Sequence, residues 1–392
     1  MAENLTKLGI NVNIIEMARQ IMPFFDKEII KTVETYIKKI GINLYLSEEI
    51  KRFIYNSENK KITVHLKSGK SIVGDIIIVA TGIVPKNELA FNANIKIGKY
   101  GGIIVDEYMK TNDPKIWAVG DVVESLDFVS KKMTHIPLAG IANRQGRIAA
   151  ASIVLGKESI NKFRGAQGTN VCGIFNMTIA STGLSEKQLK KINKKKNEIE
   201  YEKIHVHSYD HSEYYPNAKK ITLKLIFSRS NGYILGAQVF GYSGVEKRID
   251  IISIAIQNKC TVFDLAEAEL SYAPQYGTAK DIVNIAGMVA SNIIEGYFTV
   301  FHWENIDNIN FEKIILLDVR ESFVYKSNHI DGAINIPLNE LRNRSNELKK
   351  EKNILIYCSE GKRSYFACRI LSQLGFNVKN ISGGYRMYNC SK

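Results

Sequence analysis

The stretch that most restricts the fold is 355–364, LIYCSEGKRS. An apolar run over 354–357 delivers Cys358, and an apolar helical pattern (Phe366, Ile370, Leu371, Leu374) follows and stops at Gly375. This predicts a strand, a tight turn and a helix, with Cys358 on the turn. The backbone N–H groups of 359–364 can point at the sulfur, and the helix N-terminus adds partial positive charge. Lys362 and Arg363 add full charges. Each favours a nucleophilic sulfur near neutral pH. A buried free cysteine at a strand end would need none of this context.

At 392 residues the chain exceeds one ordinary domain, so two or three are expected. It contains no run of 18 apolar residues, which argues against a membrane span. The start, MAENLTKLGINVNIIE, lacks a basic region followed by an apolar block, so no secretory signal is read. Five scattered cysteines argue against a disulfide framework, and the cytoplasm is the expected compartment. No spacing of Cys or His suggests a metal site. Net charge is +13, spread over the chain apart from one run at 187–196, KQLKKINKKK. That run reads as a helix end plus loop, with no interleaved aromatics, so no nucleic-acid partner is expected. A positive field suits anionic nucleotides and coenzyme A.

Taken in order, residues 11–16 (NVNIIE) read as a short strand. Asp26 then caps a helix carrying Ile29, Ile30, Val33 and Ile37, which ends at Gly41. Residues 61–66 and 75–80 read as strands, the second continuous and of a buried type, ending in ATG at Gly82. Glu16 has two readings: an acid that binds a ribose hydroxyl and prefers NADH to NADPH, or a solvated strand-end acid. The glycine fingerprint GxGxxG occurs nowhere in the chain. Residues 116–121, IWAVGD, read as a strand that delivers Gly120 and Asp121 at its carboxyl end. Asp121 can accept hydrogen bonds from a sugar-like chain. A helix then opens at 137–146, PLAGIANRQG, and runs through 149–155. Strands follow at 201–208, 220–227 and 233–240, and helices at 244–257 and 262–266. Two tyrosine-bearing loops, 211–218 and 272–281, are ordinary edge or interface segments on this reading. Cys172 reads as a buried strand residue, Cys260 as a helix-end residue and Cys390 as exposed.

From about 301 to the end, LLDVRE, HIDGAINIP, the Cys358 loop and SGGY resemble the rhodanese sulfurtransferases. The resemblance implies a Cys358 persulfide cradled by loop amides, and a structural pair of Asp318 and Arg320 below the loop. Asn328 stands where that family usually has Gly, a change expected to affect only a turn. Upstream, ATG, VDEYMKTNDPKIWAVGD and PLAGIANRQGR resemble the two-dinucleotide-binding-domain flavoproteins, within them the coenzyme A-disulfide reductases and NADH oxidases whose fused forms end in a rhodanese domain. The implied fold class is α/β. Residues 1–82 would be a partial NAD-binding domain, 83–155 the C-terminal segment of the FAD-binding domain, 156–297 an α+β dimerisation domain and 298–392 the rhodanese domain. The implied cofactors are FAD and NADH (NADPH as the alternative), with coenzyme A as a substrate moiety. Gly82, Gly120, Asp121 and Ala139 would contact the flavin and Glu16 the nicotinamide nucleotide. Tyr215 and Tyr276, with Tyr214 and Tyr272 as competitors, would reach the partner subunit of a homodimer at the thiol–disulfide centre.

Relatives of this type begin with a glycine-rich FAD half and a redox cysteine, and MAENL resembles the stretch just after the NAD glycines. Roughly 150 residues would precede it, by domain size. Two activities are therefore expected. One is a flavin-dependent, NADH-using reductase of coenzyme A disulfide, persulfide or polysulfide, fused to a sulfur carrier. The other is sulfur transfer through Cys358 alone on a dimeric scaffold. A decayed, fragile fragment is the third reading.

Overall fold

The computed structural model describes residues 1–156, 161–194 and 199–391, so Lys195 and Lys196 of the basic run lie outside it. The chain divides into two units, residues 1–49 with 170–392, and residues 50–169.

The first unit begins with α1 (Ala2–Lys7), β1 (Asn13–Glu16), α2 (Lys27–Lys39) and β2 (Asn43–Leu46). β1 and β2 pair in parallel, with α2 as the crossover. Ile29, Ile30, Val33 and Ile37 recur at helical spacing and form the buried face of α2. Asp26 is the N-cap residue, but its carboxylate makes no capping bond to its own helix. Instead it accepts the amides of Glu186 and Lys187, each at 3.1 Å, and so caps a helix far along the chain.

The second unit holds an antiparallel sheet of β3 (Ile50–Asn56), β4 (Lys61–Leu66) and β5 (Ser71–Gly74), then α3 (Glu88–Asn92), a small hairpin of β6 (Ser125–Leu126) and β7 (Met133–Thr134), and α4 (Ala139–Leu155). Two expected strands are absent. Residues 75–80 join no ladder, and Ile76 and Val79 are 76% and 68% exposed. Residues 116–119 make a single bridge, Lys110 to Trp117, before a 3-10 turn at Gly120–Val122. An apolar run becomes a strand only when a neighbouring strand takes its N–H and C=O groups. Residues 75–80 have no such neighbour among the described residues, and 116–119 have only the short bridge to Lys110.

The first unit resumes with an antiparallel sheet in the order β10-β11-β12-β9-β8. Its strands are β8 (Asn170–Ile174), β9 (Met177–Gly183), β10 (Tyr201–Tyr209), β11 (Lys220–Ser228) and β12 (Ile234–Gly241), with α5 (Glu186–Asn193) between β9 and β10. Helices α6 (Val245–Gln257), α7 (Val262–Glu267) and α8 (Ile282–Ile294) follow. On one face Met177, Ile179 and Phe240 pack with Val12, Ile42 and the apolar face of α2. That face also carries polar residues in register: His205 opposite Lys224, His207 opposite Thr222, and Lys224 opposite Gln238. Alternating polar residues ordinarily mark a solvated face. Here Lys224 is fully buried, and its ammonium lies 2.9, 2.5 and 2.9 Å from Asp26, Glu28 and Glu186. Lys203 adds 2.7 Å to Glu186 and 2.5 Å to Glu304. The three carboxylates lie close enough to share a metal ion, but the ammonium of Lys224 already sits among them, and Lys203 adds a second positive charge at Glu186.

The last layer is a parallel sheet in the order β13-β17-β16-β14-β15. It comprises β13 (Val300–Phe301), β14 (Ile314–Asp318), α9 (Ser322–Ser327), β15 (Ile334–Asn335), β16 (Asn353–Tyr357), α10 (Lys362–Gln373), β17 (Val378–Ile381) and α11 (Gly384–Ser391). β16 is central and its Ile354–Tyr357 side chains are buried on both faces. No helix among the described residues is long and apolar enough to cross a membrane.

Candidate active site

Cys358 sits at the carboxyl end of β16, where ligands bind in open α/β sheets. Its Sγ accepts the Gly361 amide at 3.1 Å and the Ser364 hydroxyl at 3.4 Å. Ser364 is fully buried, and its hydroxyl also reaches the Gly361 carbonyl at 3.0 Å. α10 begins at Lys362, earlier than the apolar pattern implied, so Lys362, Arg363 and Ser364 form its first turn rather than a loop. The Arg363 guanidinium donates to Ser359 Oγ at 3.3 Å and spans the loop. Of the loop amides, the one on Gly361 donates to the sulfur; the other contact comes from a side chain.

The SGGY segment backs this loop. The Tyr385 amide donates to the Cys358 carbonyl at 2.8 Å and the Arg386 amide to the Ser359 carbonyl at 3.0 Å. These bonds from the start of α11 hold the outer carbonyls, leaving the Gly361 amide to face the sulfur. Below the loop, Arg320 forks onto Asp318, with Nε and Nη2 at 2.9 and 2.6 Å from Oδ2. Both side chains are buried. Asn328 is more than a turn residue. Its carbonyl accepts Arg320 Nη2 at 2.6 Å and its Oδ1 accepts Nη1 at 3.4 Å, from extended backbone that any residue adopts.

Gly120 and Asp121 lie in the second unit against α4. The Gly120 amide donates to Gln145 Oε1 at 2.8 Å, and Trp117 Nε1 to Ser152 Oγ at 3.1 Å. Two polar residues seven apart on α4 thus replace the missing ladder. The Asp121 carbonyl accepts His135 Nε2 at 2.6 Å, while its exposed carboxylate faces solvent. Ala139 opens α4, and Gly82 lies in the exposed segment after 75–80 at φ 95°. Glu16 ends β1, and one carboxylate oxygen accepts the Ala18 amide at 2.8 Å, leaving the other open.

The two tyrosine loops meet. Ser212 donates its amide to the Pro274 carbonyl at 3.1 Å and its hydroxyl to the Gly277 carbonyl at 3.2 Å. The phenols brought together are Tyr214 and Tyr272, 3.5 Å apart. Tyr215 stands edge-on to His211, and Tyr276 is 70% exposed. Cys172 lies on β8 but is exposed, and Cys390 is half-buried. Cys368 shares the apolar core with Cys358; burial, with the charge of Cys358 adding to it, pushes its thiol far up. A polar cleft of about 260 Å³, lined in part by Glu186, Lys203, His302 and Glu304, holds none of the predicted site residues.

Sequence reasoning missed Glu360 within the sulfur loop, its partner Lys220, and His205 and His207, which reach the SGGY segment from the antiparallel sheet. No local pattern marks them, since each reads as an ordinary strand or loop residue.

Residues 1–146 match the family model for pyridine nucleotide-disulphide oxidoreductase, residues 169–281 that family's dimerisation domain, and residues 303–389 the rhodanese-like domain. The fold is similar to reduced CoADR-RHD from Bacillus anthracis, with TM-score 0.94 and 42% identity, covering 100% of this chain and 68% of that one. It is also similar to a NAD-dependent persulfide reductase from A. fulgidus, with TM-score 0.87 and 36% identity, covering 99% and 69%. A coenzyme A disulfide reductase of Staphylococcus aureus is 33% identical over 288 residues, 74% of this chain. The chain spans 62% of the length of that curated relative. The three matched regions and the two structures point the same way: the chain belongs to the pyridine nucleotide-disulphide oxidoreductase family and carries a rhodanese-like domain after its dimerisation domain.

Proposed function

We propose that the chain acts in an FAD- and NADH-dependent reduction of a coenzyme A disulfide, persulfide or polysulfide, as a homodimer, with Cys358 as sulfane-sulfur carrier. The carrying observation is the sulfur cradle: Cys358 Sγ on the Gly361 amide at the N-terminus of α10. Relatives named as coenzyme A disulfide reductase and persulfide reductase support the substrate class.

At Cys358 the thiolate attacks the sulfane sulfur of a donor. A new S–S bond forms on Cys358 as the donor's own S–S bond breaks, and the donor leaves as a thiolate or sulfite. An acceptor thiolate then takes the outer sulfur, and the electron pair returns to Cys358. The Gly361 amide and Ser364 hydroxyl hold the sulfur, Arg363 braces the loop, and the helix N-terminus stabilises negative charge there.

The donor set near Asp121 fits part of a flavin. An open carboxylate suits ribityl hydroxyls, and small residues at the start of α4 leave its first amides open to a negatively charged ring. Asp121, Gly120, Gly82 and Ala139 would hold it, and Glu16 would take a nucleotide ribose. When bound, the flavin carries two electrons from NADH to a disulfide. A visible absorption spectrum of the purified protein tests this. Stoichiometric flavin that falls on Asp121→Ala supports the reading, and flavin content indifferent to that change removes Asp121 from it.

A second reading, sulfur transfer alone, is favoured by one contrast. The Cys358 loop is complete within its own sheet, whereas among the described residues 75–80 join no ladder and 116–119 make a single bridge. Colourless protein that moves sulfur from thiosulfate to cyanide, and loses this on Cys358→Ser, would establish it. Retained transfer in Cys358→Ser would refute both readings of the cysteine.

A further inference from the structure

The antiparallel sheet touches the sulfur loop at one place and the SGGY segment that backs it at two. Lys220 at the start of β11 places its ammonium 3.1 Å from the carboxylate of Glu360, two residues after Cys358. Arg386 holds the same carboxylate at 2.9 Å, and Lys220 lies 4.0 Å over the Tyr209 ring. On β10, the His205 amide donates to Ser382 Oγ at 3.0 Å. His207 Nε2 lies 3.2 Å from the Gly383 carbonyl, and its Nδ1 lies 2.9 Å from Thr222 Oγ1. A carbonyl only accepts, so His207 carries its proton on Nε2 and takes the Thr222 hydroxyl on Nδ1. These contacts converge on 359–361 and 382–386, the two segments that cross-brace each other beside the sulfur.

We propose that Lys220 and Glu360 are a positioning pair for sulfur transfer, a contact by which the dimerisation-domain sheet holds the Cys358 loop in its sulfur-binding shape. The inference rests on the sulfur-carrier reading. Glu360 immediately precedes Gly361, whose amide makes the 3.1 Å contact to the sulfur. Swinging the Glu360 peptide redirects that amide. A half-exposed ion pair adds little to stability, so its effect belongs in the reactivity of Cys358 and not in the melting curve. Misplacing a reacting group by about 1 Å can cost two orders of magnitude in rate.

The test uses the full chain and two readouts at one fixed pH. One is the alkylation rate of Cys358 by iodoacetamide, followed on its peptide. The other is kcat and KM for sulfur transfer from thiosulfate to cyanide. Lys220→Met and Glu360→Gln are each expected to slow alkylation and lower kcat about five- to tenfold, with KM changed less than about twofold. Lys220→Arg should restore both to within about twofold of the parent, since it keeps the charge. The thermal midpoint of Lys220→Met should stay within about 2 °C. Unchanged alkylation in either Lys220→Met or Glu360→Gln overturns the pair, as does failure of Lys220→Arg to restore it. Alkylation does not depend on the enzyme's substrate. If sulfur transfer persists in Cys358→Ser, the sulfur-carrier reading fails separately, while alkylation still decides whether the brace exists.

Discussion

Gly361 donates its amide to the Cys358 sulfur from backbone at φ 101°, a region that residues with a Cβ rarely adopt. A Cβ at this position would meet nothing closer than the Gly383 amide at 3.7 Å. Gly361→Ala is therefore a change of strain without a clash. It should cost about 1–2 kcal/mol of stability, and relief of the strain by rotation should turn the amide from the sulfur. Cys358 alkylation should slow severalfold. Folding stability from urea titration and the alkylation rate check it, and a normal rate would mean that the amide contact is dispensable.

Gly384→Ala should be worse, although its φ of 60° is the milder of the two. Its Cβ would run into the Cys358 carbonyl and stand 3.0 Å from the Glu360 and Gly361 amides. Strain of about 1–2 kcal/mol adds to overpacking of about 1–3 kcal/mol. Urea titration should show Gly384→Ala less stable than Gly361→Ala, and the reverse order would place α11 farther from the loop than the structure has it.

Arg320→Lys tests whether the pair below the loop depends on charge or on shape. The guanidinium forks onto Asp318, reaches the Asn328 carbonyl at 2.6 Å and lies 4.5 Å over the Tyr385 ring. A lysine keeps one charge and loses the fork and the stack. Breaking part of a buried pair should cost about 3 kcal/mol. A melting point matching the parent would show that charge alone suffices.

The sulfur loop was legible because its chemistry is local. Cys358, the apolar strand before it and the helix after it lie within residues 353–373, and the strand's register follows from burial on both faces. The segments at 75–80 and 116–119 were misread because their composition carries strand propensity, while a ladder needs a neighbour that composition cannot reveal. The polar face of the antiparallel sheet misleads in the opposite sense. His205, Thr222, Lys224 and Gln238 alternate with apolar residues as a solvated strand face would, and all four are buried. Asp26, Glu28 and Ser382, which partner Gln238, Lys224 and His205, come from segments 177 or more residues away in the chain. Glu360 was invisible as a site residue for the same reason.

Lys224→Met should be strongly destabilising. Burial by itself raises the carboxyls of Glu28 and Glu186, but the charge of Lys224, with His205 and Lys203 respectively, holds both well below the usual range. Without Lys224, three buried carboxylates face one another. Removing one partner of a buried network costs about 3–5 kcal/mol. The parent should also lose stability as pH falls below the unfolded carboxyl range near 4.5, since these groups have depressed folded values and must be protonated. In Lys224→Met that loss should shrink or reverse. Urea titrations at pH 7 and pH 4 compare the two, and equal acid losses would refute the role given to Lys224.

His207 should make the protein sensitive to acid at a milder pH. Burial is the main cause that holds its imidazole well below 6.5; Arg386, His205 and Lys220 push the same way, and only the Gly383 carbonyl opposes them. The sign follows from linkage. The unfolded chain takes up this proton near pH 6.5 and the folded protein does not, so the contribution is complete above 6.5 and shrinks as pH drops below it. His205, also lowered chiefly by burial, adds in the same direction. Between pH 7.5 and 5.5 the two should remove about 1–3 kcal/mol of unfolding free energy. His207→Gln keeps a donor for Gly383 and an acceptor for Thr222 without a titrating group. Its stability should fall less over the same interval, by about 1 kcal/mol. Parallel losses in the two proteins would mean that His207 already takes up its proton while folded, and that its contact with Gly383 is not the one the structure shows.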